Sequence, residues 1–536
     1  MNREHSVSRL SEEAFDLCII GAGASGAGVA LDAALRGYKV ALIDSGDFCG
    51  ETSSKSTKLI HGGVRYLEQA FKNLDLGQLK QVKHGLRERK YLYSNARYIT
   101  RKLGIITPVF SALEGLYYFI GLKLYGFFAL KDHFPSARWL TRKEMLTESP
   151  NTTARAHSGV LYYDGQLDDA RYVIALVKTA CREGATVANY CRLTHFEKDA
   201  AGKLTGACVT DVLGGSDFVI RSKRFINCTG PFADTVRLLA NAGEERRIVP
   251  SKGVHVVVPR KYFEGDKALL IPKTADGRLI FVIPFRGNVM IGTTDTPYKG
   301  GDAEPCLERE EAEYLLETAR PYLKDAPAAD EVKAGFGGVR PLLLARRRNE
   351  ENTKALLRDH EVETDTTSGL ISLLGGKWTT YRLMAQDTVD VVDELFGRKN
   401  VCRTHDFPLV GNDAEAQQPA HCEDIFWERL LSYYGCQAGE VLALDAAEKL
   451  HPAQPYLKAE VIFACRQEMA QTLRDFMARR VRWEILDRRS CREAIPAVAG
   501  VMAAELGWTQ ERAAEEINTY TAVLDDQATR AAHSYS

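Results

Sequence analysis

The stretch DLCIIGAGASGAGVALDAALRGYKVALID, residues 16–44, decides the fold of this chain. Residues 17–20 form an apolar run that is typical of a strand buried on both faces. Three glycines follow in G-x-G-x-x-G spacing: Gly21, Gly23 and Gly26. The first allows a sharp turn, the second lets a pyrophosphate approach the backbone, and the third lets the next helix pack on the strand. The N-terminus of that helix offers N–H groups to an anion, so the stretch predicts a dinucleotide site.

An acidic residue ends the second strand of this unit. Residues 39–43, KVALI, predict that strand, and Asp44 follows it directly. A carboxylate at this tip is placed to accept hydrogen bonds from a ribose, which disfavours the 2′-phosphate of NADP. The stretch by itself leaves NAD and FAD open.

Composition excludes several classes of protein. The chain has 536 residues, of which 45% are hydrophobic and 26% charged, and its net charge is −1. This length predicts two or three domains, and this charge gives no reason to expect a nucleic-acid partner. Its twelve cysteines form no C-x-x-C pair, so we expect neither a zinc site nor an iron–sulfur cluster. Residues 1–16 lack the apolar core of a signal peptide, which favours the cytosol.

An apolar and aromatic segment complicates the picture of a soluble protein. Residues 116–130, LYYFIGLKLYGFFAL, contain a single charge at Lys123 and are too short to span a bilayer. The periodicity favours a buried helix, and a helix lying in a membrane interface is the alternative. The basic helical stretch 74–102 precedes it and is compatible with a solvated face or with anionic lipid.

Further segments predict a second part of the site. Residues 47–67 are rich in Ser, Thr and Lys and run into a His-Gly-Gly turn, which lets backbone lie close to a flat ligand. Residues 250–300 alternate short strands and turns, which predicts a largely antiparallel sheet. His255 lies in its valine-rich strand, where a histidine is more often a core residue than a functional one. Beyond about residue 425 the chain reads as almost wholly helical.

Together these segments resemble the FAD-dependent glycerol-3-phosphate dehydrogenases over nearly the whole chain. The matching segments are GAGASGAGVALDAALRG (21–37), SSKSTKLIHGGVRYLE (53–68), KGVHVVVP (252–259), IGTTDTPYKG (291–300), GVRPL (338–342), LLRDH (356–360), GGKWTTYR (375–382), PYLKAEVIFACRQEMAQTLRDFMARRVR (455–482) and DRR (487–489). HGGVRYLE and GGKWTTYR are specific to the family, whereas G-x-G-x-x-G by itself is not. The resemblance favours FAD over NAD.

The resemblance also implies a fold: an α/β, Rossmann-like FAD-binding domain of the glycine-oxidase and D-amino-acid-oxidase type, with an antiparallel-sheet substrate domain and a helical C-terminal domain. We expect the oxidoreductase part over 1–400, with FAD binding at about 14–100, 150–250 and 330–395 and the substrate sheet at about 101–149 and 250–330. The C-terminal domain is expected over 401–536.

By the same resemblance, residues are assigned to two groups. Around FAD it places Gly21, Gly23, Gly26, Asp44, Ser53, Ser54, Ser56, Leu59, His61, Gly230, Gly375, Gly376 and Thr379. At the substrate it places Arg65, Tyr66, His255, Arg340, Arg358 and Lys377.

The implied reaction oxidises sn-glycerol 3-phosphate to dihydroxyacetone phosphate and passes electrons to a membrane quinone. Arg340 and Arg358 are expected to clamp the phosphate, with Arg65 or Lys377 adding positive field, and His255 to take the hydroxyl proton. The chain lacks the calcium-binding hands and the cysteine-rich tail of other family members. It therefore resembles the aerobic bacterial type, cytoplasmic and peripherally attached to the cytoplasmic membrane.

Alternatives remain open at this point. An oxidase that uses O2 and makes H2O2 has the same chemistry, an amino-acid substrate is disfavoured by the number of cations, and a non-catalytic flavoprotein is the alternative from another class. The sequence leaves the oligomeric state open, and a homodimer is one option.

Overall fold

A computed structural model describes residues 1–63, 76–128, 134–272, 274, 277–298, 304–344, 360–416, 418, 424–444 and 446–531. Within these ranges the strands are β1 (Ala14–Ile20), β2 (Val40–Ile43), β3 (Leu59–Ile60), β4 (Thr100–Val109), β5 (Arg138–Thr141), β6 (Ser158–Leu167), β7 (Thr186–Ala188), β8 (Cys191–Lys198), β9 (Leu204–Asp211), β10 (Asp217–Asn227), β11 (Ile248–Pro259), β12 (Ala268–Ile271), β13 (Ile280–Phe285), β14 (Asn288–Gly292), β15 (Thr296–Pro297), β16 (Ala334–Leu343), β17 (His360–Thr364) and β18 (Ile371–Gly375).

The first sheet is built around the predicted glycine-turn unit. Its main order is β17-β18-β10-β1-β2-β7, and β9 and β8 continue from β10. The pairs β1 with β2, β1 with β10, β10 with β18 and β2 with β7 are all parallel. Ile20 lies between Ile43 and Asn227 in register. The carboxyl ends of these strands therefore meet at one edge, which is where open α/β sheets bind ligands.

Helices pack against the strands of the first sheet and against one another. In the described part of the chain before residue 400, the α-helices are Arg3–Glu12, Ala24–Leu35, Leu76–Asn95, Ala112–Phe128, Arg142–Glu148, Asp169–Arg182, Ala233–Ala240, Arg309–Ala319 and Tyr381–Phe396. The helix that follows the glycine turn, Ala24–Leu35, packs between the helices Asp169–Arg182 and Tyr381–Phe396 and is almost wholly buried. Its small residues explain this close packing, because alanine and glycine let helix backbones approach one another.

The second sheet is largely antiparallel, as expected for residues 250–300. Its main order is β15-β11-β14-β13-β12-β4-β6-β3, with β16 joined to β11 and β5 to β6. The pair β12 with β4 is parallel, and the other pairs are antiparallel.

Three strands that the sequence grouped with the FAD-binding part belong to this second sheet. These are β3, within the expected range 14–100, β6, within 150–250, and β16, within 330–395. The two long strands have extended partners in the second sheet: β6 pairs with β4 over ten residues, and β16 pairs with β11 over ten. The basic stretch 74–102 also differs from the helix expected there, because the helix ends at Asn95 and residues 100–102 begin β4.

The end of the chain forms a helical C-terminal domain, while the expected division at residue 400 stays a prediction. Its helices are Asp424–Tyr434, Ala438–Leu442, Lys458–Glu468, Trp483–Leu486, Arg488–Leu506 and Gln510–Arg530, with a π-helical turn at Asp475–Arg480. Buried ion pairs join it to the first part of the chain. Glu468 binds both guanidinium nitrogens of Arg171 at 2.7 and 2.9 Å, and Arg480 binds Asp47 at 2.5 and 2.9 Å.

The apolar segment forms the helix Ala112–Phe128, which is named here the apolar helix. The buried placement expected for it is wrong along one face. Leu113, Leu116, Tyr117, Ile120 and Phe127 are exposed, with Leu113 at 82% and Phe127 at 61%. Their spacing of three or four residues puts them on one side of the helix. A nearly continuous apolar run hides this asymmetry in the sequence, because its periodicity does not show which face is covered.

Candidate active site

The glycine turn fixes the approach of strand β1 to the helix Ala24–Leu35. Gly21 adopts a φ of +98°, and a Cβ on it would lie 2.7 Å from the carbonyl oxygen of Cys228. A Cβ on Gly26 would lie 1.8 Å from the carbonyl oxygen of Gly21, so a side chain cannot fit there. The turn is thus held as close to the sheet as only glycine permits, which leaves the helix N-terminus facing the ligand edge.

Asp44 closes the other side of this turn. Its Oδ2 accepts a hydrogen bond from the backbone N–H of Ala22 at 2.7 Å, and its Oδ1 accepts one from Gly46 at 3.0 Å. Desolvation raises the pKa of the carboxyl to about 6, against the opposing effect of the two backbone N–H groups. Each carboxylate oxygen has a second lone pair, so the group can still accept a bond from a ribose hydroxyl.

Two segments that are distant in sequence meet at the helix N-terminus. Ser53 Oγ accepts a hydrogen bond from the N–H of Ala24 at 3.0 Å, and the indole of Trp378 donates to the carbonyl oxygen of Ser53 at 2.9 Å. The N–H of His61 donates to Thr379 Oγ1 at 3.3 Å. The loop at 53–61 and the turn at 375–380, predicted separately, therefore form one wall.

Glycines with positive φ shape the rest of this wall. Gly375 and Gly376 have φ of +70° and +89°, and Gly230, at the end of β10, has φ of +56°. A Cβ on Gly376 would lie 2.4 Å from Met384 Cε, whereas a Cβ on Gly230 would meet no atom within 4 Å. Gly230 therefore borders open space, and its role at the cofactor stays a prediction.

Other predicted cofactor residues contact protein groups instead. Ser54 Oγ donates to the carbonyl oxygen of Glu51 at 3.1 Å, and Ser56 Oγ donates to Asp169 Oδ2 at 2.7 Å. Leu59 is buried in β3, within the apolar core under the second sheet. These three side chains hold the loop in shape, and a direct role at the cofactor stays a prediction for them.

His255 lies on β11 of the second sheet, between the neighbouring strands β14 and β16. It is 2% exposed, and its ring stacks on Phe336 of β16 with centroids 4.8 Å apart and planes at 15°. On the other side, a Cβ on Gly292 would lie 2.3 Å from the imidazole, so this glycine makes room for the ring. Desolvation, helped by Lys58 and Arg340, lowers the pKa of His255 well below its ordinary value. The imidazole is therefore neutral, the form in which it can accept a proton.

Arg340 lies four residue pairs along the β11–β16 ladder from His255, on the same face of the sheet. β11 and β16 pair His255 with Phe336 and Ser251 with Arg340, and alternate residues of a strand share a face. The guanidinium bends over Gly253, where a Cβ would lie 2.4 Å from it. It donates to Thr293 Oγ1 and the carbonyl oxygen of Thr294, both at 3.0 Å, and is 26% exposed. A fixed and partly open guanidinium suits an anionic ligand.

Lys377 lies in the turn before the helix Tyr381–Phe396. Its Nζ donates to Gln81 Oε1 at 3.3 Å, which joins the turn to the helix Leu76–Asn95. The predicted substrate residues Arg65, Tyr66 and Arg358 lie outside the described residues. Within those, no group of three or more His, Cys, Asp or Glu side chains is arranged to hold a metal ion.

Comparison with known proteins now decides the family. The family model named DAO, FAD dependent oxidoreductase, matches residues 16–382. A second family model, for the C-terminal domain of alpha-glycerophosphate oxidase, matches residues 402–513. A Caenorhabditis elegans protein named "Probable glycerol-3-phosphate dehydrogenase, mitochondrial" is 39% identical over 546 residues, covering 98% of this chain and 75% of its own. The chain belongs to the FAD-dependent glycerol-3-phosphate dehydrogenase family.

Solved structures agree with this membership. The X-ray structure of a glycerol-3-phosphate dehydrogenase from Bacillus halodurans, complexed with FAD, has a TM-score of 0.81 and 29% identity and covers 99% of both chains. A glycine oxidase from Bacillus cereus has a TM-score of 0.50 and 19% identity, covering 72% of this chain and 96% of its own, and is similar in fold alone. The predicted fold class is thereby confirmed.

The cofactor of this dehydrogenase family member is FAD, as predicted. The residues present fit it: Gly21 and Gly26 hold the turn against backbone where no Cβ fits, and the helix N-terminus, Ser53 and Asp44 border the cradle that the turn forms at the edge of the sheet. When bound, FAD supplies the two-electron acceptor for oxidation of a substrate.

Sequence reasoning missed the groups that hold the site together. Thr57 contacts the imidazole of His255, and Lys58 and Asp169 form a fully buried ion pair beneath the loop. Both Thr57 and Lys58 lie in a stretch recognised for its hydroxyl groups, but nothing in the sequence distinguishes them from their neighbours. The ion pair of Asp169 leaves no signal in the sequence either, because it joins residues that are 111 positions apart.

Proposed function

We propose that this protein oxidises sn-glycerol 3-phosphate to dihydroxyacetone phosphate and passes the electrons through FAD to a membrane quinone. The observation that carries the proposal is the pairing of a neutral, buried His255 with the guanidinium of Arg340 on one face of the second sheet. One group accepts a proton and the other binds an anion, and these are the two needs of a phosphate ester with a secondary alcohol.

The proton is the first requirement of this reaction. The hydroxyl on C2 of the substrate would lose its proton to His255, the proposed acceptor, while the hydrogen on C2 would leave with the electron pair of its bond as a hydride to the flavin, so that the ketone forms. Burial keeps the imidazole neutral, and the nearby cations Lys58 and Arg340 favour the alkoxide that develops on the substrate.

The phosphate is the second requirement. Arg340 presents a planar fork that matches phosphate oxygens, and Thr293 and Thr294 hold this fork in place. Lys377 is proposed to add positive charge from the opposite wall. The roles of Arg65, Tyr66 and Arg358 at the substrate stay predictions.

The electron acceptor is proposed to be a quinone because the molecule carries a surface suited to a membrane. The apolar helix turns six large apolar side chains outward, because Leu124 joins the five already named. An exposed patch of this kind is rare on proteins that have no binding partner. Among the described helices none is long and apolar enough to cross a bilayer. We therefore propose that the apolar helix lies in the interface of the cytoplasmic membrane.

The substrate and acceptor are tested together in an anaerobic flavin assay. Purified holoenzyme is mixed with sn-glycerol 3-phosphate or with glycerol, and the absorbance of oxidised flavin is followed. We expect bleaching by the phosphate ester alone, then reoxidation by a ubiquinone or menaquinone analogue much faster than by air. Rapid reoxidation by O2 with stoichiometric formation of H2O2 would instead show that the protein is an oxidase. Bleaching by glycerol at the same rate as by the phosphate ester would contradict the proposed phosphate clamp.

The membrane contact is tested by flotation with anionic phospholipid vesicles. The variant L116E/I120E places two charges on the exposed face, and L395E changes an exposed leucine on the helix Tyr381–Phe396 as the matched control. A buried apolar side chain contributes about 1.5–3 kcal/mol, so the double variant should bind vesicles at least about tenfold more weakly. Equal flotation of the double variant and the control would show that the exposed face of the apolar helix does not contact the membrane.

A further inference from the structure

The hydrogen bonds of His255 are unusually few for a buried imidazole. Nε2 lies 3.1 Å from Thr57 Oγ1, and Nδ1, although buried, has no hydrogen-bond partner among the described residues. The stacked ring of Phe336 and the backbone at Gly292 pack against the faces of the imidazole but offer its nitrogens no hydrogen bond. Thr57 is therefore the polar contact that fixes which way the ring nitrogens point.

The neighbours of Thr57 in the chain are anchored on both sides. Lys58 has a φ of +62° and is fully buried, and its Nζ donates to the carbonyl oxygen of Ser54 at 2.7 Å and to Asp169 Oδ2 at 2.6 Å. The same Oδ2 accepts the N–H of Ser56 at 3.0 Å. A lysine held in the left-handed region is strained, and the buried ion pair compensates for this strain.

The C-terminal domain completes the anchor. Arg482, also with positive φ and 1% exposed, donates from Nη2 to the carbonyl oxygen of Ser54 at 2.6 Å and to Asp169 Oδ1 at 3.0 Å. Lys55 is bound in turn by Glu304, whose other partner is Arg474 of the C-terminal domain. The segment from 54 to 58 is thus held from two sides by buried charges, so Thr57 has little freedom to move.

We propose that Thr57 is a positioning residue, whose hydroxyl orients His255 for proton transfer in the reaction proposed above. The inference rests on that proposed function. Thr57 itself is half-buried and lines the space between the loop and the second sheet, whereas the ring of His255 is almost completely covered. The charged groups that act on the ring are Lys58 and Arg340, while Glu311 of the helix behind β11 binds Lys252 instead. No charged side chain among the described residues replaces the hydrogen bond of Thr57 to Nε2.

The test compares three single variants with the wild type. T57V removes the hydroxyl and keeps the shape, and T57S restores the hydroxyl. T52V is the matched control: Thr52 lies on the same loop, but its hydroxyl donates to the carbonyl oxygen of Val339 and not to His255. FAD content and thermal unfolding are measured first, and T57A is used in place of T57V if the valine variant fails to fold. Anaerobic stopped-flow mixing with sn-glycerol 3-phosphate then gives the limiting rate of flavin reduction and the dissociation constant.

We expect T57V to lower the limiting rate about tenfold to a hundredfold, because a small misplacement of a catalytic group has effects of this size. The dissociation constant should stay within about twofold, since Thr57 is not part of the proposed phosphate clamp. T57S should recover most of the rate, and T52V should retain it. A wild-type rate in T57V, or an equal loss in T52V, would overturn the positioning role. Failure of the wild type to be reduced would instead refute the proposed function.

Discussion

Replacing Glu468 with glutamine is expected to lower the free energy of unfolding by about 3 kcal/mol. Burial by itself would raise the pKa of this carboxyl, but Arg171 and Lys178 hold it lowered from 4.5 to about 2. At about 1.4 kcal/mol for each pH unit, that difference corresponds to about 3 kcal/mol in favour of the folded, ionised state. Loss of the charge also leaves the buried guanidinium of Arg171 without its bidentate partner, a change that typically costs about 3–5 kcal/mol.

The matched control is a second bidentate pair, between Arg466 on the helix of Glu468 and Glu505 on the helix Arg488–Leu506. Arg466 donates from Nε and Nη2 to Glu505 at 2.6 and 2.9 Å, but Arg466 is 55% exposed, whereas Arg171 and Glu468 are buried. E505Q should therefore cost less than about 1 kcal/mol. Urea unfolding of E468Q, E505Q and wild type, followed by far-UV circular dichroism, measures both differences. An equal cost in the two variants would refute the reasoning that burial gives the Arg171–Glu468 pair its strength.

The pH dependence of the same difference has a definite sign. Because the pKa of Glu468 is lowered in the folded state, its contribution is fully present above pH 4.5 and is lost as the pH falls toward about 2. The gap in stability between wild type and E468Q should therefore be constant above pH 4.5 and narrow below it. A gap that widens in acid would contradict the assignment.

Three further changes test the active site. H255A should slow flavin reduction by sn-glycerol 3-phosphate roughly a hundredfold to ten-thousandfold with little change in its binding, and stopped-flow absorbance measures both; near-normal reduction would mean that another base acts. R340A should weaken substrate binding about tenfold to a hundredfold in a titration of flavin absorbance, with R340K intermediate, because a charge-assisted hydrogen bond contributes about 1.5–3 kcal/mol. Unchanged affinity would mean that Arg340 does not bind the phosphate. G26A should be purified without FAD because its Cβ would lie 1.8 Å from the carbonyl oxygen of Gly21, whereas G46A, whose Cβ meets no atom within 4 Å, should keep it. Equal flavin content in the two glycine variants would contradict the role of the cradle.

Much of the fold could be predicted because its signals are local. The glycine spacing at 21–26 and the acid at position 44 require a strand before and after one helix, and the parallel pairing of β1 with β2 follows from that connection. The valine-rich run at 252–259 likewise predicted a strand of the second sheet, which the structure places in β11. Patterns of this kind depend on residues close together in the chain.

The parts that could not be predicted depend on distant partners. β6 and β16 carry no mark of the sheet they join, since an apolar strand fits either sheet. The exposed face of the apolar helix could not be predicted, because residues on every side of this helix are apolar. The contact of His255 with Thr57 spans 198 residues, and that of Lys58 with Asp169 spans 111. Neither leaves a spacing in the sequence that a reader could recognise.

The most direct measurement is the absorbance of the oxidised flavin after anaerobic addition of sn-glycerol 3-phosphate to the wild-type holoenzyme. In the proposed reaction, the change in absorbance requires bound FAD, the substrate, and the roles of His255 and Arg340. We predict that the flavin bleaches and that dihydroxyacetone phosphate forms in equal amount. A flavin that stays oxidised, while dithionite still reduces it, would contradict the proposed reaction.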